Sequence, residues 1–559
     1  MEYFSNLSSE KMFSTRMSCD VLVVGNGGAG IRAAVTAADL EQEVVLLGES
    51  RVGKAGSTFY PLSHEWGMLY AVDEEDAECF SEEIISASGG CMNEKLARKL
   101  AEGSARAFRR LQEGGVPFVP MKEVGITGCF GRKPRGAFLK DMRAFIQFSE
   151  CEMERRKNIH FCSGTTVVSL LVHENRCCGA VAVDERGGLV QISAKAVVLA
   201  CGGGEGLYEY GASFGHLYGG AYAMAARHGV RLVNLEFIQF VHGSVMPGRG
   251  INYYPFSYVE LPKVENGKGE SCLSKYLPEG MTEEECLLAH AAHGPFSTDS
   301  KGKYLEYAMV GEAEAGNGTG LVFSPDASKV SGKRYALWEA FLKRMGMDTG
   351  TPMALYPFAQ GFNGGILLHG DMMTDMEGLY ACGESAGGCH GPNRMGGLCI
   401  LATQVFGEAA GKAAAEYAAA RELWQHPGAE ELIRKEFGCP DREEEGQPLE
   451  IMKKVRSIMQ KYACLHRNEE GLKAAMEELE ALRINPMANR GKKDTAEYFR
   501  VYNAVQAAGL ILYSMRQRKE SRGCHDRSDY RVRDGRQEKM NWVTMENGKI
   551  TGGVLDEEP

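Results

Sequence analysis

The alternation of apolar and polar positions near the start of the chain predicts a strand, a helix and a second strand. Residues 20–24 form a short β-branched run, residues 31–40 are rich in alanine, and residues 43–47 are again apolar. The loop Gly25-Asn26-Gly27-Gly28-Ala29-Gly30 joins the first strand to the helix. A glycine loop that follows a strand and opens a helix is the context of dinucleotide binding, so the pattern predicts a nucleotide site here.

Each glycine of this loop has its own physical task. Gly25 permits the tight turn, Gly27 lets the backbone approach a pyrophosphate, and Gly30 lets the helix pack closely on the strand. The backbone N–H groups of Gly28 and Ala29 lie at the start of the helix, where an anion is favoured. The loop is therefore expected to hold the pyrophosphate of the cofactor.

The second strand is followed by a candidate for the ribose contact. In this fold an acidic residue about 20 positions after the loop receives the adenosine ribose hydroxyls. Glu49 is the candidate, although it stands one place later than the usual spacing and Gly48 occupies the expected position. We predict a ribose contact from Glu49.

The pattern changes character along the rest of the chain. Between residues 244 and 350 the composition shifts towards glycine, proline, tyrosine and charge without a long period, which predicts an inserted domain. The dinucleotide-domain pattern returns at residues 362–368 and 378–388. The predicted division is a first part of the cofactor-binding domain at 17–243, a capping domain at 244–350, a second part of the cofactor-binding domain at 351–419, a helical domain at 420–535 and a polar tail at 536–559.

The C-terminal part of the chain has the pattern of packed helices. Residues 447–516 contain one apolar stripe at spacings of three and four, which predicts the core of a helical bundle and not a cofactor site. The stripe consists of Tyr498, Val501, Val505, Ala508, Leu512 and Met515. The residues after 535 are polar, and we expect an irregular tail there.

Composition and charge narrow the classes of function. The net charge of −11 argues against a nucleic-acid partner. The 17 cysteines include no CxxC pair, so the sequence favours neither an iron–sulfur cluster nor a structural zinc site, and no metal is expected. This cysteine usage fits a reducing compartment. Because the chain shows no secretory signal and no apolar run long enough to span a membrane, we expect a cytoplasmic protein.

Four separated stretches extend the picture to nearly the full length. They are the glycine loop with residues 56–60, residues 194–203 continuing to 236–240, residues 378–384 continuing to 390–397, and residues 520–525. In this order and spacing the chain resembles the flavoprotein subunits of succinate dehydrogenase and fumarate reductase, the FAD-dependent oxidoreductase 2 family that includes L-aspartate oxidase. The resemblance implies a divergent member of the α/β class, with a split Rossmann-like FAD-binding domain, an inserted α+β capping domain and a C-terminal helical domain.

The resemblance also implies how FAD is held. Ser57 and Thr58 are expected beside the isoalloxazine ring, and Gly383 with Glu384 is expected at the ribityl and phosphate region. In members that bind FAD covalently a histidine occupies the position of Ser57, so noncovalent FAD is expected here. The other expected contacts are Ala200, Gly202, Gly203 and Asn393, together with Cys399 and Ile400, whose backbone N–H groups would face the flavin O2.

Arg394 is the residue expected to bind substrate. The matching arginine of the family clamps a substrate carboxylate beside the flavin, a bidentate task that suits a guanidinium. The family's other substrate residues are changed. Its His-Pro-Thr sequence is replaced by Val241-His242-Gly243, and its second substrate histidine by Gln360, which cannot carry a positive charge at neutral pH.

The proton-donating arginine of fumarate reduction is also missing. The corresponding residues 294–303 contain no arginine. The candidates for the proton donor are, in falling order, Lys301, Lys303, His242 and Arg249, although each lysine can equally be solvated and His242 can equally be a hydrogen-bonded core residue. Because the FAD motifs remain while the dicarboxylate motifs change, we expect an active enzyme whose substrate is not plain fumarate, succinate or L-aspartate.

Three hypotheses of function remain open at this stage. The first is an FAD-dependent oxidoreductase that reduces an activated C=C bond of a small carboxylate-bearing substrate, or catalyses the reverse. The second is an amino-acid oxidase similar to L-aspartate oxidase. The third is an electron-transfer flavoprotein that works with a separate iron–sulfur protein, since the chain has no cluster motif of its own.

Overall fold

The computed structural model describes residues 12–62, 67–253, 255–330, 332–438, 447–487 and 491–556 of the 559-residue chain. Its helices are α1 (Gly28–Asp39), α2 (Glu74–Ser88), α3 (Glu94–Glu113), α4 (Met121–Val124), α5 (Met142–Glu154), α6 (Gly220–Arg227), α7 (Glu283–His293), α8 (Tyr304–Glu314), α9 (Ala336–Arg344), α10 (Leu398–Ala419), α11 (Ala429–Phe437), α12 (Pro448–Ala463), α13 (Glu469–Glu480) and α14 (Thr495–Gln517). Its strands are β1 (Phe13–Val24), β2 (Val44–Gly48), β3 (Gly67–Met68), β4 (Phe118–Pro120), β5 (Ala137–Leu139), β6 (Ile159–Ser163), β7 (Thr166–His173), β8 (Arg176–Val183), β9 (Leu189–Leu199), β10 (Leu232–Val233), β11 (Ile238–Met246), β12 (Lys263–Glu265), β13 (Leu321–Ser324), β14 (Met353–Phe362), β15 (Gly365–Ile366), β16 (Leu379–Ala381), β17 (Asn541–Glu546) and β18 (Lys549–Val554).

A seven-stranded sheet forms the centre of the molecule. Its strands run in the order β6-β2-β1-β9-β8-β7, and β16 also pairs with β9. β1 is parallel to both β2 and β9, with Val21 opposite Val44 on one side and Ala196 on the other. Parallel strands are buried on both faces, which is why they read as near-continuous apolar runs. The opening β-α-β pattern predicted from the sequence is confirmed.

A later part of the chain, which follows the inserted segment, adds to this sheet. β16 adds parallel to β9, and α10 packs along α1. The two helices approach closely because a glycine of α10 faces backbone of α1: a Cβ at Gly411 would lie 2.3 Å from the carbonyl oxygen of Ala33. The predicted split of the Rossmann-like domain is therefore confirmed, while the exact domain boundaries stay predictions.

The inserted segment between the two halves forms an α+β unit. A second sheet has the order β11-β14-β13-β12, with antiparallel neighbours, and α7, α8 and α9 belong to the same part of the chain. β11 leaves the central domain and β14 returns to it, and the two pair with each other, with Gln239 opposite Gly361. This pairing brings residues from both ends of the insertion to one place.

The C-terminal segment is helical as predicted, and its described residues 447–517 contain the three helices α12, α13 and α14. α12, α13 and α14 pack on one another, and α14 also packs on α6. The predicted stripe lies inside this bundle, with Val505 half-buried and the other five residues buried. Among the described residues, no helix is long and apolar enough to cross a membrane.

The expectation of an irregular tail is wrong for residues 541–554. β17 and β18 form an antiparallel hairpin, and β17 pairs with β10 of the core. Asn547 and Gly548 have φ angles of 52° and 75°, which is the two-residue turn that suits an Asn-Gly sequence. Val543 is fully buried against the core, so this strand is ordered by packing although most of its neighbours are polar.

Candidate functional site

A cleft opens where the parallel strands β1, β2 and β9 end. Its volume is about 1580 Å³, open solvent included. Ligand clefts of open α/β sheets lie at the carboxyl ends of the strands, so this is the expected place for the cofactor. The predicted FAD contacts that line it are Gly25, Gly27, Gly28, Ala29, Glu49, Ser57, Thr58, Ala200, Gly202, Gly383, Glu384, Cys399 and Ile400.

The glycine loop forms the floor of the cleft. Gly25 has a φ of 108°, and a Cβ there would lie 2.2 Å from the carbonyl oxygen of Ala200. A Cβ at Gly30 would lie 1.7 Å from the carbonyl oxygen of Gly25, so only glycine lets helix and strand approach this closely. Above Gly27 the nearest atom to a Cβ would be Thr58 Oγ1 at 3.7 Å, which leaves room for a ligand against the backbone.

Two helices begin at this cleft. Gly27 precedes α1 and Gly397 precedes α10, and neither residue caps its helix with a side chain. The first turn of each helix contains no acidic residue that would compete for the N–H groups. Their partial positive charges therefore face the cleft at two separate points, which suits a ligand with more than one anionic group.

Three predicted cofactor contacts do not line the cleft. Gly30 packs against Gly25, which is the helix-packing task predicted for it. A Cβ at Gly203 would lie 2.7 Å from the carboxyl carbon of Glu384, so this glycine makes space for that side chain. Asn393 is buried and bonds to the cap: Ser297 Oγ donates to its Oδ1 at 3.0 Å, and its Nδ2 donates to Asp299.

Glu49 lines the cleft but already has a protein partner. Arg500 Nε donates to Glu49 Oε1 at 3.2 Å, and Arg500 also donates to Thr166 Oγ1 at 2.8 Å. Arg500 belongs to α14, so the C-terminal helical segment supplies one wall of the cleft. Sequence reasoning missed Arg500, because it lies beside the apolar stripe of α14 and has no motif of its own.

Arg394 lies in the same cleft, and only 6% of its surface is exposed. Its Nε donates to Gln239 Oε1 at 2.8 Å, and its Nη2 donates to Gln360 Oε1 at 3.0 Å. Both partners are neutral amides from the paired strands β11 and β14. Among the described residues no carboxylate forms an ion pair with Arg394, so its positive charge is held in place without being neutralised.

The carboxyl groups of the buried Glu205 and the half-buried Glu384 interact with each other in this region. Phe362 N donates to Glu384 Oε1 at 2.8 Å, and Ser57 Oγ lies 3.4 Å from Glu384 Oε2. Burial, and then the charge of Glu384, raise the pKa of Glu205 well above its usual range. Burial also raises the pKa of Glu384. Two neighbouring buried carboxylates cannot both ionise, so the pair retains a proton, which we assign to Glu205.

His390 is a further cleft residue, and sequence reasoning missed it although it begins the stretch 390–397. It is buried, and its Nδ1 has no hydrogen-bond partner in the part of the chain that the structure describes. Burial, and then the charge of Arg394, lower the pKa of His390 to about 3. The imidazole is therefore neutral at physiological pH and has one polar atom available to a ligand.

The four proton-donor candidates do not lie along the cleft. Lys303 Nζ donates to the carbonyl of Thr298 at 2.8 Å, and Lys301 is exposed. Arg249 donates to a backbone carbonyl and stacks over the ring of Tyr210 at 4.8 Å. His242 is buried within the cap. The structure therefore brings Gln360 and Arg394 together, but not these four with them.

The alternation of β11 explains the position of His242. Gln239 contacts Arg394, so residue 241 lies on the same face of the strand and residue 242 on the opposite face. Val241 is half-buried, whereas the side chain of His242 is almost fully buried. The imidazole of His242 therefore lies on the face of β11 opposite to the side chain that contacts Arg394.

Comparison with known proteins matches an N-terminal part and a C-terminal part of the chain to protein families. Residues 20–253 match the family described as FAD binding domain, and residues 452–551 match the family described as fumarate reductase flavoprotein C-term. The chain is 28% identical to an uncharacterised FAD-dependent oxidoreductase of Methanocaldococcus jannaschii, over 92% of this chain and 94% of that one.

The chain is also similar to named enzymes over more than nine tenths of its length. The fumarate reductase (CoM/CoB) of Methanothermobacter marburgensis has one chain that is 26% identical, over 93% of this chain and 96% of that one. L-aspartate oxidase of Pseudomonas aeruginosa is 28% identical, over 91% and 95%. Among solved structures, an Escherichia coli quinol fumarate reductase chain superposes with a TM-score of 0.81 at 22% identity, covering 98% of this chain and 97% of that one, which shows a shared fold.

Proposed function

We propose that this chain, an FAD-dependent oxidoreductase of the succinate dehydrogenase and fumarate reductase flavoprotein family, acts on a small carboxylate-bearing substrate held by Arg394. FAD would supply a hydride acceptor or donor at its flavin N5. The substrate chemistry most consistent with the family is reduction of an activated C=C bond, or the reverse reaction.

The residues of the cleft fit FAD. The glycine loop leaves open backbone above Gly27, and α1 and α10 both begin at the cleft without side-chain caps. We infer that the α1 terminus receives the pyrophosphate and that Cys399 and Ile400, in the first turn of α10, face the reducible end of the cofactor. Ser57 offers a hydroxyl and not an imidazole at the position used for covalent attachment, in keeping with noncovalent FAD.

The observation that carries the proposal is that Arg394 is buried and forms no ion pair among the described residues. A buried guanidinium is ordinarily paired with an anion, because removing a charge from water is costly. Gln239 and Gln360 fix two of its nitrogens through neutral oxygens, so orientation is provided without neutralisation. An arginine fixed in this way is ready for a carboxylate that comes from outside the chain.

The same geometry supports a substrate other than fumarate or succinate. The positions at which the family carries substrate histidines hold Val241 and Gln360 in this chain. Arg394 is thus the cation that the cleft offers at this end, and His390 is neutral because its pKa is lowered to about 3. We propose a substrate with one carboxylate at the reacting end and an apolar or neutral group in place of the second carboxylate.

The proton-transfer partner remains one of the sequence candidates, in the order Lys301, Lys303, His242 and Arg249. As far as the structure describes the chain, none of these four residues lines the cleft that contains Arg394. We therefore propose that Arg394 binds the anion, and the identity of the proton donor stays a separate prediction.

Two other functions stay open because specific relatives favour them. The similarity to L-aspartate oxidase supports an amino-acid oxidase, which would form hydrogen peroxide in air when given its substrate. Several relatives are named as flavoprotein subunits, which supports a separate iron–sulfur partner as electron donor. In that third case FAD reduction would require the partner protein.

The proposed function is tested by anaerobic reduction of the purified flavoprotein, followed by a screen of unsaturated monocarboxylic and dicarboxylic acids for reoxidation. We expect a monocarboxylic acid to reoxidise the flavin. Arg394→Met should keep FAD bound and lose about 2–5 kcal/mol of substrate interaction, which is a loss of about 30-fold to several thousand-fold in kcat/KM.

Arg421→Met is the matched control for that variant. Arg421 is a largely exposed arginine that stacks over Tyr417 and pairs with Glu377, away from the cleft lining. It should leave both FAD content and reoxidation unchanged. Full activity of Arg394→Met would overturn the role of Arg394, and peroxide formation with an amino acid in air would favour the oxidase instead.

A further inference from the structure

A buried cluster lies outside the cleft, between the central domain and the cap. It consists of His242 on β11, His290 on α7 and Glu306 on α8. Each of the three side chains has one atom that could bind a metal, a ring nitrogen or a carboxylate oxygen. These three atoms lie within 4.8 Å of one another. The three side chains are at most 3% exposed, so no bulk water surrounds them.

The distances within this cluster fit a shared cation. His242 Nε2 lies 3.0 Å and His290 Nε2 lies 3.1 Å from Glu306 Oε1. Ligands placed at about 2.0–2.1 Å around a tetrahedral ion are separated from each other by roughly 3.3 Å, close to these values. The two imidazole rings lie nearly parallel, with centroids 4.2 Å apart, and both present their Nε2 atoms to the same carboxylate.

Hydrogen bonds within the protein leave this cluster incompletely satisfied. Among the described residues, His242 Nε2, His290 Nδ1 and Glu306 Oε2 are buried without a hydrogen-bond partner. His242 Nε2 is close to Glu306 Oε1, but the two are not aligned for a hydrogen bond. Buried polar atoms without partners are costly, so His242 Nε2 and Glu306 Oε2, which belong to the groups facing one another in the cluster, indicate a missing binding partner.

We propose that His242, His290 and Glu306 bind one divalent transition-metal ion of the zinc type, which joins strand β11 to the cap helices α7 and α8. Two imidazoles and one carboxylate form a ligand set of the kind that zinc uses, with a water or a second carboxylate oxygen completing the coordination. Tyr258 supports the set, because its hydroxyl is hydrogen-bonded to His242 Nδ1, the ring nitrogen that faces away from the ion.

The proposed metal site would stabilise the end of the cleft that contains Arg394. Gln239, which orients Arg394, lies three residues before His242 on the same strand. A metal that fixes β11 against two cap helices would hold the register of that strand. The proposal is independent of the substrate assignment, since it depends on the cluster alone.

The test uses the full chain with FAD bound. The protein is stripped with a chelator, titrated with Zn²⁺ or Co²⁺ alone, and measured for metal per chain and for the visible absorption of bound Co²⁺. Wild-type protein should bind one ion per chain, whereas His290→Asn and Glu306→Gln should bind it at least about 10–100-fold more weakly. His293→Asn is the matched control, since His293 is a half-buried histidine one turn further along α7 and outside the cluster.

The FAD content of each variant reports whether it has folded. One ion per chain in wild type and in His293→Asn, with loss in the two ligand variants, supports the site. Equal binding in the ligand variants, or no binding of either ion to wild type, overturns it. If the ligand variants lack FAD, Tyr258→Phe decides: about 10-fold weaker metal binding with normal FAD supports the site, and unchanged binding overturns it.

Discussion

At the scale of single residues, the cleft combines charged and neutral groups whose states are set by burial. Arg394 remains charged beside two neutral amides, and His390 is kept neutral beside it. Glu205 retains a proton next to Glu384. Next to Arg394 the cleft therefore offers neutral side chains in Gln239, Gln360 and His390, and a low-polarity setting strengthens the binding of a carboxylate to a guanidinium.

The closest contact of the glycine loop gives a prediction at this scale. In Gly30→Ala the new Cβ would lie 1.7 Å from the carbonyl oxygen of Gly25, so the loop must shift away from the pyrophosphate position. Overpacking of this kind costs about 1–3 kcal/mol, and we expect FAD affinity to fall by about 5- to 150-fold. The measurement is the flavin absorbance per protein after dialysis.

Gly370→Ala is the control for that variant. Gly370 is exposed, and a Cβ there would meet nothing within 4 Å. Its flavin content should equal that of the wild type. Normal FAD content in Gly30→Ala would show that the loop does not hold the cofactor.

At the scale of elements, the walls of the cleft come from parts of the chain that are far apart in sequence. α1 and α10 supply the two helix N-termini, and α14 supplies Arg500. The cap strands β11 and β14 supply the two glutamines that fix Arg394. The C-terminal helical segment thus supplies part of the wall of the cleft.

The pair Glu49 and Arg500 gives a prediction at this scale. The two side chains are less than one third exposed, and Arg500 Nε donates to Glu49 at 3.2 Å. We expect Glu49→Gln and Arg500→Met each to weaken FAD binding. Because the residues are in contact, the double variant should show a coupling energy of about 0.5–3 kcal/mol.

The coupling is measured by FAD titration of the wild type, both single variants and the double variant. Glu477→Gln on α13 serves as a control, since it forms only an exposed pair with Lys473. Strictly additive losses would mean that α14 does not position Glu49 for the cofactor.

At the scale of the whole molecule, stability and function share the same buried groups. His390 of the cleft and His525 of the C-terminal segment are both held neutral, since burial lowers the pKa of each. Glu205 has the opposite shift, because burial raises its pKa. Such groups link the folding of the whole chain to pH.

The shift of His390 predicts acid sensitivity with a definite sign. Its pKa of about 3 in the folded chain lies below the unfolded value of about 6.5, so the unfolded chain binds the proton first. Above pH 6.5 the neutral His390 costs the folded chain no stability. As the pH falls from 6.5 towards 3, the free energy of unfolding decreases by about 1.4 kcal/mol per pH unit.

The measurement compares thermal unfolding of wild type and His390→Gln at pH 7.5 and pH 5.5. We expect the wild type to lose more stability than the variant over this interval, by about 1.4 kcal/mol. Equal losses would show that His390 is solvated or protonated in the folded chain.

Much of the fold could be predicted from the sequence because its signals are local. The glycine loop, the alanine-rich helices and the β-branched strands each carry their own pattern, and the order of four motifs indicated the split domain. The hairpin at 541–554 was missed, although Asn547-Gly548 is a local turn signal, because the flanking polar residues masked a strand that is ordered by the burial of Val543.

The sequence by itself determined the FAD fold and singled out Arg394, since both depend on short motifs that can each be recognised within a few consecutive residues. Only the tertiary structure decided what surrounds them: the glutamines that fix Arg394, the arginine that bonds to Glu49, and the face on which His242 lies. The physical reason is the two-residue period of a strand, in which a displacement by one position turns a side chain to the opposite face. In β11 the imidazole of His242 therefore lies in a buried cluster with Glu306 and not beside Arg394.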